Sequence, residues 1–118
     1  MSVVSVRVSE LRKRGLQSFE DWLTLPNSLY IGRKVQYVAG TYASKWGNPY
    51  IASKHPNGEA LKLYESYVRG RKDLINSLHE LHGQELGCWC VNDPPNHTPE
   101  ICHGQVLLRL MREFNTSN

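Results

Sequence analysis

No apolar run in this 118-residue chain approaches the roughly 20 residues needed to cross a bilayer. The opening residues, Met1 to Arg7, lack the basic n-region and long apolar h-region of a signal peptide. These absences predict an intracellular protein, cytoplasmic or nuclear, with no membrane partner. Cysteine is scarce: the chain has three, an odd and closely spaced set. That argues against a secreted disulfide framework and leaves reduced thiols, a metal site or a catalytic thiol. Charge of one sign is also in short supply. The net charge of +3 suits a phosphate-bearing ligand but falls short of the dense basic stripe of a dedicated nucleic-acid binder. No Walker loop, G-x-G-x-x-G, H-E-x-x-H or nucleophile elbow is present, and there is no internal repeat, low-complexity tract or linker.

What remains reads as one domain over residues 1–118, with a frayed tail at 115–118. Val3 to Val8 alternate as a first strand, and Leu11 to Gly15 make a basic turn. Ser18 caps a short helix through Leu23, with Asp21 in the acidic position of a capping box and Phe19, Trp22 and Leu23 inward. Pro26-Asn27 ends it. Ser28 to Arg33 reads as a buried strand closing in a glycine turn. Val35, Tyr37 and Val38 suggest an edge strand or hairpin arm, and Ala43 to Tyr50 is a loop rich in breakers. A helix capped by Asn57 carries Ala60, Leu61, Tyr64, Tyr67 and Val68 on one face and stops at Gly70. A second runs from Lys72 to Leu81 with Leu74, Ile75, Leu78 and Leu81 inward, and Gly83 ends it. Glu85 to Val91 is a buried strand, 92–100 a proline-rich loop, and His103 to Phe114 a last helix with Val106, Leu107, Leu110 and Phe114 inward. The order predicts an α/β fold: a small three- to four-stranded, largely parallel sheet with flanking helices. Ligands of such sheets bind beyond the carboxyl ends of the strands. Ile31-Gly32-Arg33 and Cys88-Trp89-Cys90 both fall at strand ends, so the fold places them on one edge.

Tyr30-Ile31-Gly32-Arg33, Ser44-Lys45-Trp46-Gly47-Asn48-Pro49, Leu86-Gly87-Cys88-Trp89-Cys90 and Cys102-His103-Gly104 together closely resemble domain-of-unknown-function family 4326, small proteins common in bacteria and phages. The likeness covers residues 30–113. It implies no activity. Two departures stand out: Gln105 occupies the position where the family usually has an acid, and the segment 91–101 is longer than usual.

Three readings of these motifs follow from residue chemistry. In the first, the same-face pair Cys88 and Cys90 joins Cys102 and His103 as a structural zinc site, although Cys-x-Cys and adjacent Cys-His are unusual spacings. In the second, Cys102 is a nucleophile activated by a helix N-terminus, with His103 as acid or base. In the third, the helix start at His103-Gly104 and the cations Arg33 and Lys45 hold a phosphate, Gly104 permits its close approach, Trp46 stacks on a base or sugar, and Asn48 reads a polar edge. The bland alternative makes the cysteines small buried hydrophobes, Gly47-Asn48-Pro49 a turn, Trp89 core, and Arg33 the partner of Glu65 or Glu113. His55, His79, His82 and His97 read as surface residues. The functional expectation is an anionic, nucleotide-like ligand pocket, in an enzyme of nucleotide or nucleic-acid metabolism. The alternative is a non-catalytic, zinc-stabilised module that binds nucleic acid or a protein.

Overall fold

The computed structural model describes residues 2–50, 54–55, 58–89 and 102–115. Three short strands, Ser2–Ser5 (β1), Ser28–Tyr30 (β2) and Glu85–Cys88 (β3), form a parallel sheet in the order β1-β3-β2. Val3 and Leu29 flank Leu86, and Val4 and Tyr30 flank Gly87. Both edges extend the ladder past the strands: Val6 N–H donates to Cys88 O and Ile31 N–H to Gly87 O, each at 3.0 Å. The result is a single α/β domain with a small parallel sheet, as the element order predicts.

The two-residue strand period sorts side chains between two cores. Val3, Ile31, Leu86 and Cys88 face the helices Glu59–Arg69 (α3), Lys72–Ser77 (α4) and His103–Asn115 (α5). Val4, Val6, Tyr30 and Trp89 face the helices Val8–Lys13 (α1) and Phe19–Leu23 (α2), with Leu11, Phe19 and Trp22. Two glycines bring helices close to the sheet. A Cβ on Gly87 would lie 2.4 Å from the Trp22 ring, and one on Gly104 would lie 2.8 Å from Ile31 and Val3.

Local signals agree with several predicted elements. Ser18 Oγ accepts from Asp21 N–H at 3.2 Å and starts α2. The α3 face buries Ala60, Tyr64 and Val68, and Gly70 caps its end. Leu74, Leu78 and Leu81 are buried along α4 and the 3₁₀ turn Leu78–Leu81 that continues it. On α5, Val106, Leu107 and Leu110 are buried, but Met111 takes the place expected for Phe114, which is partly exposed.

The structure corrects other readings. The first strand stops at Ser5, and α1 occupies the expected basic turn. Its end is a Schellman motif: Leu16 N–H donates to Leu11 O and Gly15 N–H to Arg12 O, both at 3.0 Å, with Gly15 at φ 82°. Residues 35–38 form turns, not an edge strand, because Thr41 Oγ1 ties Val35 N–H, Val35 O and Val38 O together. Arg33 pairs with neither Glu65 nor Glu113. Those carboxylates belong to Arg69 and Arg109, which clamp α3 to α5: Arg109 to Glu65 at 2.6 Å and Arg69 to Glu113 at 2.7 Å. Hydrogen bonds from Arg109, then Arg69, hold the Glu65 carboxyl down to about 2. Gly58 precedes α3 at its N-cap; the cap expected at Asn57 lies outside the described residues, as do the proline loop, His97 and the tail 116–118. No helix among the described residues is long and apolar enough to cross a membrane.

Candidate functional site

Strand β2 runs out into Ile31-Gly32-Arg33. The Tyr30 hydroxyl donates to Arg33 O and accepts from the Trp89 indole N–H at 2.7 Å. A Cβ on Gly32 would meet the Tyr30 ring, so only glycine lets the chain fold back over that phenol. Ser44 N–H then donates to Gly32 O at 3.1 Å. The loop from Ser44 to Asn48 is thereby seated on the end of β2, and Tyr64 fixes it from α3 by donating to Trp46 O at 2.6 Å.

The start of α5 closes this edge from the other side. His103 is 7% exposed and stands edge-on to the Tyr64 ring at 5.2 Å. Its Nε2–H donates to Ile31 O at 2.7 Å, which fixes the tautomer. Burial, and to a smaller extent the nearby Arg33 guanidinium, push its pKa down to about 4 against the raising effect of that hydrogen bond. His103 is therefore a neutral buried donor at physiological pH. Cys102 directly precedes α5; its Sγ accepts from Gly104 N–H at 3.4 Å and lies 2.7 Å from Cys88 Sγ. Both sulfurs are fully buried. Gln105 Oε1 accepts from Cys102 N–H at 2.9 Å while Gln105 N–H donates to Cys102 O at 3.0 Å. That is the capping-box role, which Glu and Gln fill alike. Gln105 thus supports the helix start.

The four motifs therefore converge as the parallel topology implies, but few of their side chains face outward. Trp46 is 1% exposed and belongs to the core. Gly104 turns its bare Cα onto Ile31 and Val3, and its N–H is taken by Cys102. Asn48 holds the loop, donating to Ala60 O at 3.4 Å and accepting from Tyr50 N–H at 2.9 Å. Lys45 pairs with Glu80 at 2.7 Å and lies over the Trp46 ring. Among the described residues no three His, Cys, Asp or Glu side chains gather as a metal site; Cys90, named as a ligand with Cys88, Cys102 and His103, lies outside them. Arg33 is different. It is exposed at the end of β2, close enough to Tyr30 and His103 to influence both, and it makes no ion pair or side-chain hydrogen bond among the described residues. The adjacent Lys34 is likewise exposed and has no ion-pair partner among the described residues.

A groove of about 300 Å³ opens beside this point. Val6 and Val8 after β1, Trp89 after β3, Phe19 of α2 and the turn at Tyr37-Val38 line it. Its position has a topological cause. The chain leaves β1 toward the α1/α2 face, whereas the helix after β3 packs on the opposite face. The carboxyl ends of these neighbouring strands are thus a switch point, where open α/β sheets leave a crevice. Sequence reasoning missed this groove. It assigned Trp89 to the core and Tyr37 to a strand, and only the bare rule about strand ends pointed here.

The model of the family described as domain of unknown function (DUF4326) matches residues 15–113. No curated protein and no solved structure matches the chain.

Proposed function

Because the chain belongs to the DUF4326 family, whose description assigns no activity, we propose a function from the edge itself: binding of an anionic, nucleotide-like small molecule at the carboxyl ends of the strands. One observation carries this reading. Arg33 presents an exposed guanidinium without a partner among the described residues, on backbone held by Tyr30, Gly32 and Ser44. Other cations toward this edge are already engaged: Lys45 by Glu80 and Arg7 by Trp89 O. A planar guanidinium with free donors suits the paired oxygens of a phosphate. Lys34 adds a second positive charge beside it, and Lys45 joins by exchanging a surface pair with Glu80 worth at most about 1 kcal/mol.

The proposal is one of binding. Cys102, His103, Trp46 and Gly104 are the scaffold of the edge in it, since each is buried and engaged. The test is calorimetric titration with phosphate esters. Arg33→Ala is expected to weaken binding about tenfold or more, the value of a charge-assisted hydrogen bond. Unchanged affinity in that variant overturns the reading.

A further inference from the structure

The groove at the β1/β3 switch point is not needed to hold a phosphate, and its chemistry is wrong for one. Its walls are apolar and aromatic: Val6, Val8, Phe19, Val38, Trp89 and Tyr37. Tyr37 is 90% exposed and Val8 is 46% exposed, although both are large apolar side chains. Trp89 is held in place from behind, its indole bonded to Tyr30 and its ring stacked on Phe19 with centroids 6.2 Å apart. Glu20 on the rim brings negative charge, and among the described residues neither its carboxylate nor the Gln17 amide has a hydrogen-bond partner. A carboxylate repels a phosphate and accepts from an amine.

We propose that this groove is the ring subsite of the same ligand: it takes a planar, amino-bearing aromatic heterocycle, a nucleobase, against Trp89 and Tyr37, with the exocyclic amine toward Glu20. The proposal rests on the anion reading of Arg33 and deepens it. Charge sorts the two ends. The Tyr30 hydroxyl joins them physically, since it bonds both the Trp89 indole and the Arg33 carbonyl. A ligand with its ring on Trp89 therefore lies beside the backbone that carries Arg33, and the proposal puts its phosphate on that residue's side chain. A volume of about 300 Å³ is at the small end of ligand pockets and suits one base with its sugar. Stacking on exposed aromatic rings is a general mode of base recognition.

The experiment titrates the full chain with adenosine 5′-monophosphate, inosine 5′-monophosphate and ribose 5-phosphate. It compares wild type with Tyr37→Ala, Val8→Glu, Glu20→Ala and Arg33→Ala; the first two positions are exposed enough to change without disturbing the core. Tyr37→Ala and Val8→Glu are expected to weaken the adenosine nucleotide about fivefold or more and to leave ribose 5-phosphate unaffected. The adenosine form is expected to bind more tightly than the inosine form, and Glu20→Ala to abolish that preference. Arg33→Ala weakens all three. If the groove variants leave nucleotide affinity unchanged, or if ribose 5-phosphate binds as tightly as the nucleotides, the ring subsite is refuted while the anion site stands. If Arg33→Ala has no effect but Tyr37→Ala does, the groove stands and the anion site falls. Absence of binding by all three compounds overturns both.

Discussion

Acid should weaken this protein at a pH where few carboxylates respond, and His103 is the reason. Burial holds its imidazole neutral in the folded state, with a pKa of about 4 against 6.5 when unfolded. Above pH 6.5 neither state binds the proton and the stability is fully present. As pH falls below 6.5 the unfolded chain takes up a proton that the folded chain cannot, so stability is lost until pH reaches about 4. Over the whole window the loss is about 3 kcal/mol, and between pH 7 and 5 it is about 2 kcal/mol. The depressed carboxyl of Glu65 acts lower, between its ordinary 4.5 and about 2. Urea denaturation followed by tryptophan fluorescence measures this directly: at roughly 1–2 kcal/mol per molar urea the midpoint falls by about 1 M or more from pH 7 to 5. The control is His103→Gln, which keeps a donor for Ile31 O and does not titrate. Its stability should be nearly flat across that window, whatever its absolute value. Equal losses in wild type and variant would refute the assignment of a buried neutral imidazole.

Gly87→Ala forces a Cβ to 2.4 Å from a fully buried Trp22 whose indole is tied to Glu85; thermal unfolding should show a loss of about 2–3 kcal/mol. Gln105→Ala removes the acceptor for Cys102 N–H and should cost about 1 kcal/mol in the same measurement.

The parts of the fold that the sequence makes legible are those set by local chemistry. Ser18 with Asp21 marks the start of α2, the 3.6-residue spacing of Ala60, Tyr64 and Val68 marks α3, and the order of elements implies the parallel sheet. Helix α1 carried a readable signal as well: Arg12 and Lys13 before Gly15, with Leu11 and Leu16 bracketing the turn, is the pattern of a Schellman end. The alternation of Val4, Val6 and Val8 masked it, because a strand pattern running into a short helix leaves no gap in the hydrophobic sequence.

The site was harder to read than the fold, for a different reason. Motif residues such as Trp46, Asn48 and Gly104 have chemistry that suits a ligand equally well and a packed joint equally well. Which use applies depends on burial, and burial here is decided by tertiary contacts: Tyr64 on Trp46 O, Ile31 and Val3 under Gly104. Arg33 was legible because its position after a strand and a glycine fixes it at the edge. Trp89 and Tyr37 come from distant segments, and only the crossing of the chain at the switch point brings them to one groove.

The central claim is that a nucleotide-like anion binds at the carboxyl edge, and nuclear magnetic resonance tests it most directly. The chain has three tryptophans. Trp22 is buried and bonds Glu85, and Trp46 is buried in the core, while Trp89 lines the groove and bonds Tyr30. On titration with adenosine 5′-monophosphate, the Trp89 indole N–H and the backbone amides of Arg33, Lys34 and Tyr37 should shift together and saturate, with the Trp22 indole unmoved. Shifts centred elsewhere, or none at saturating nucleotide, would contradict the account.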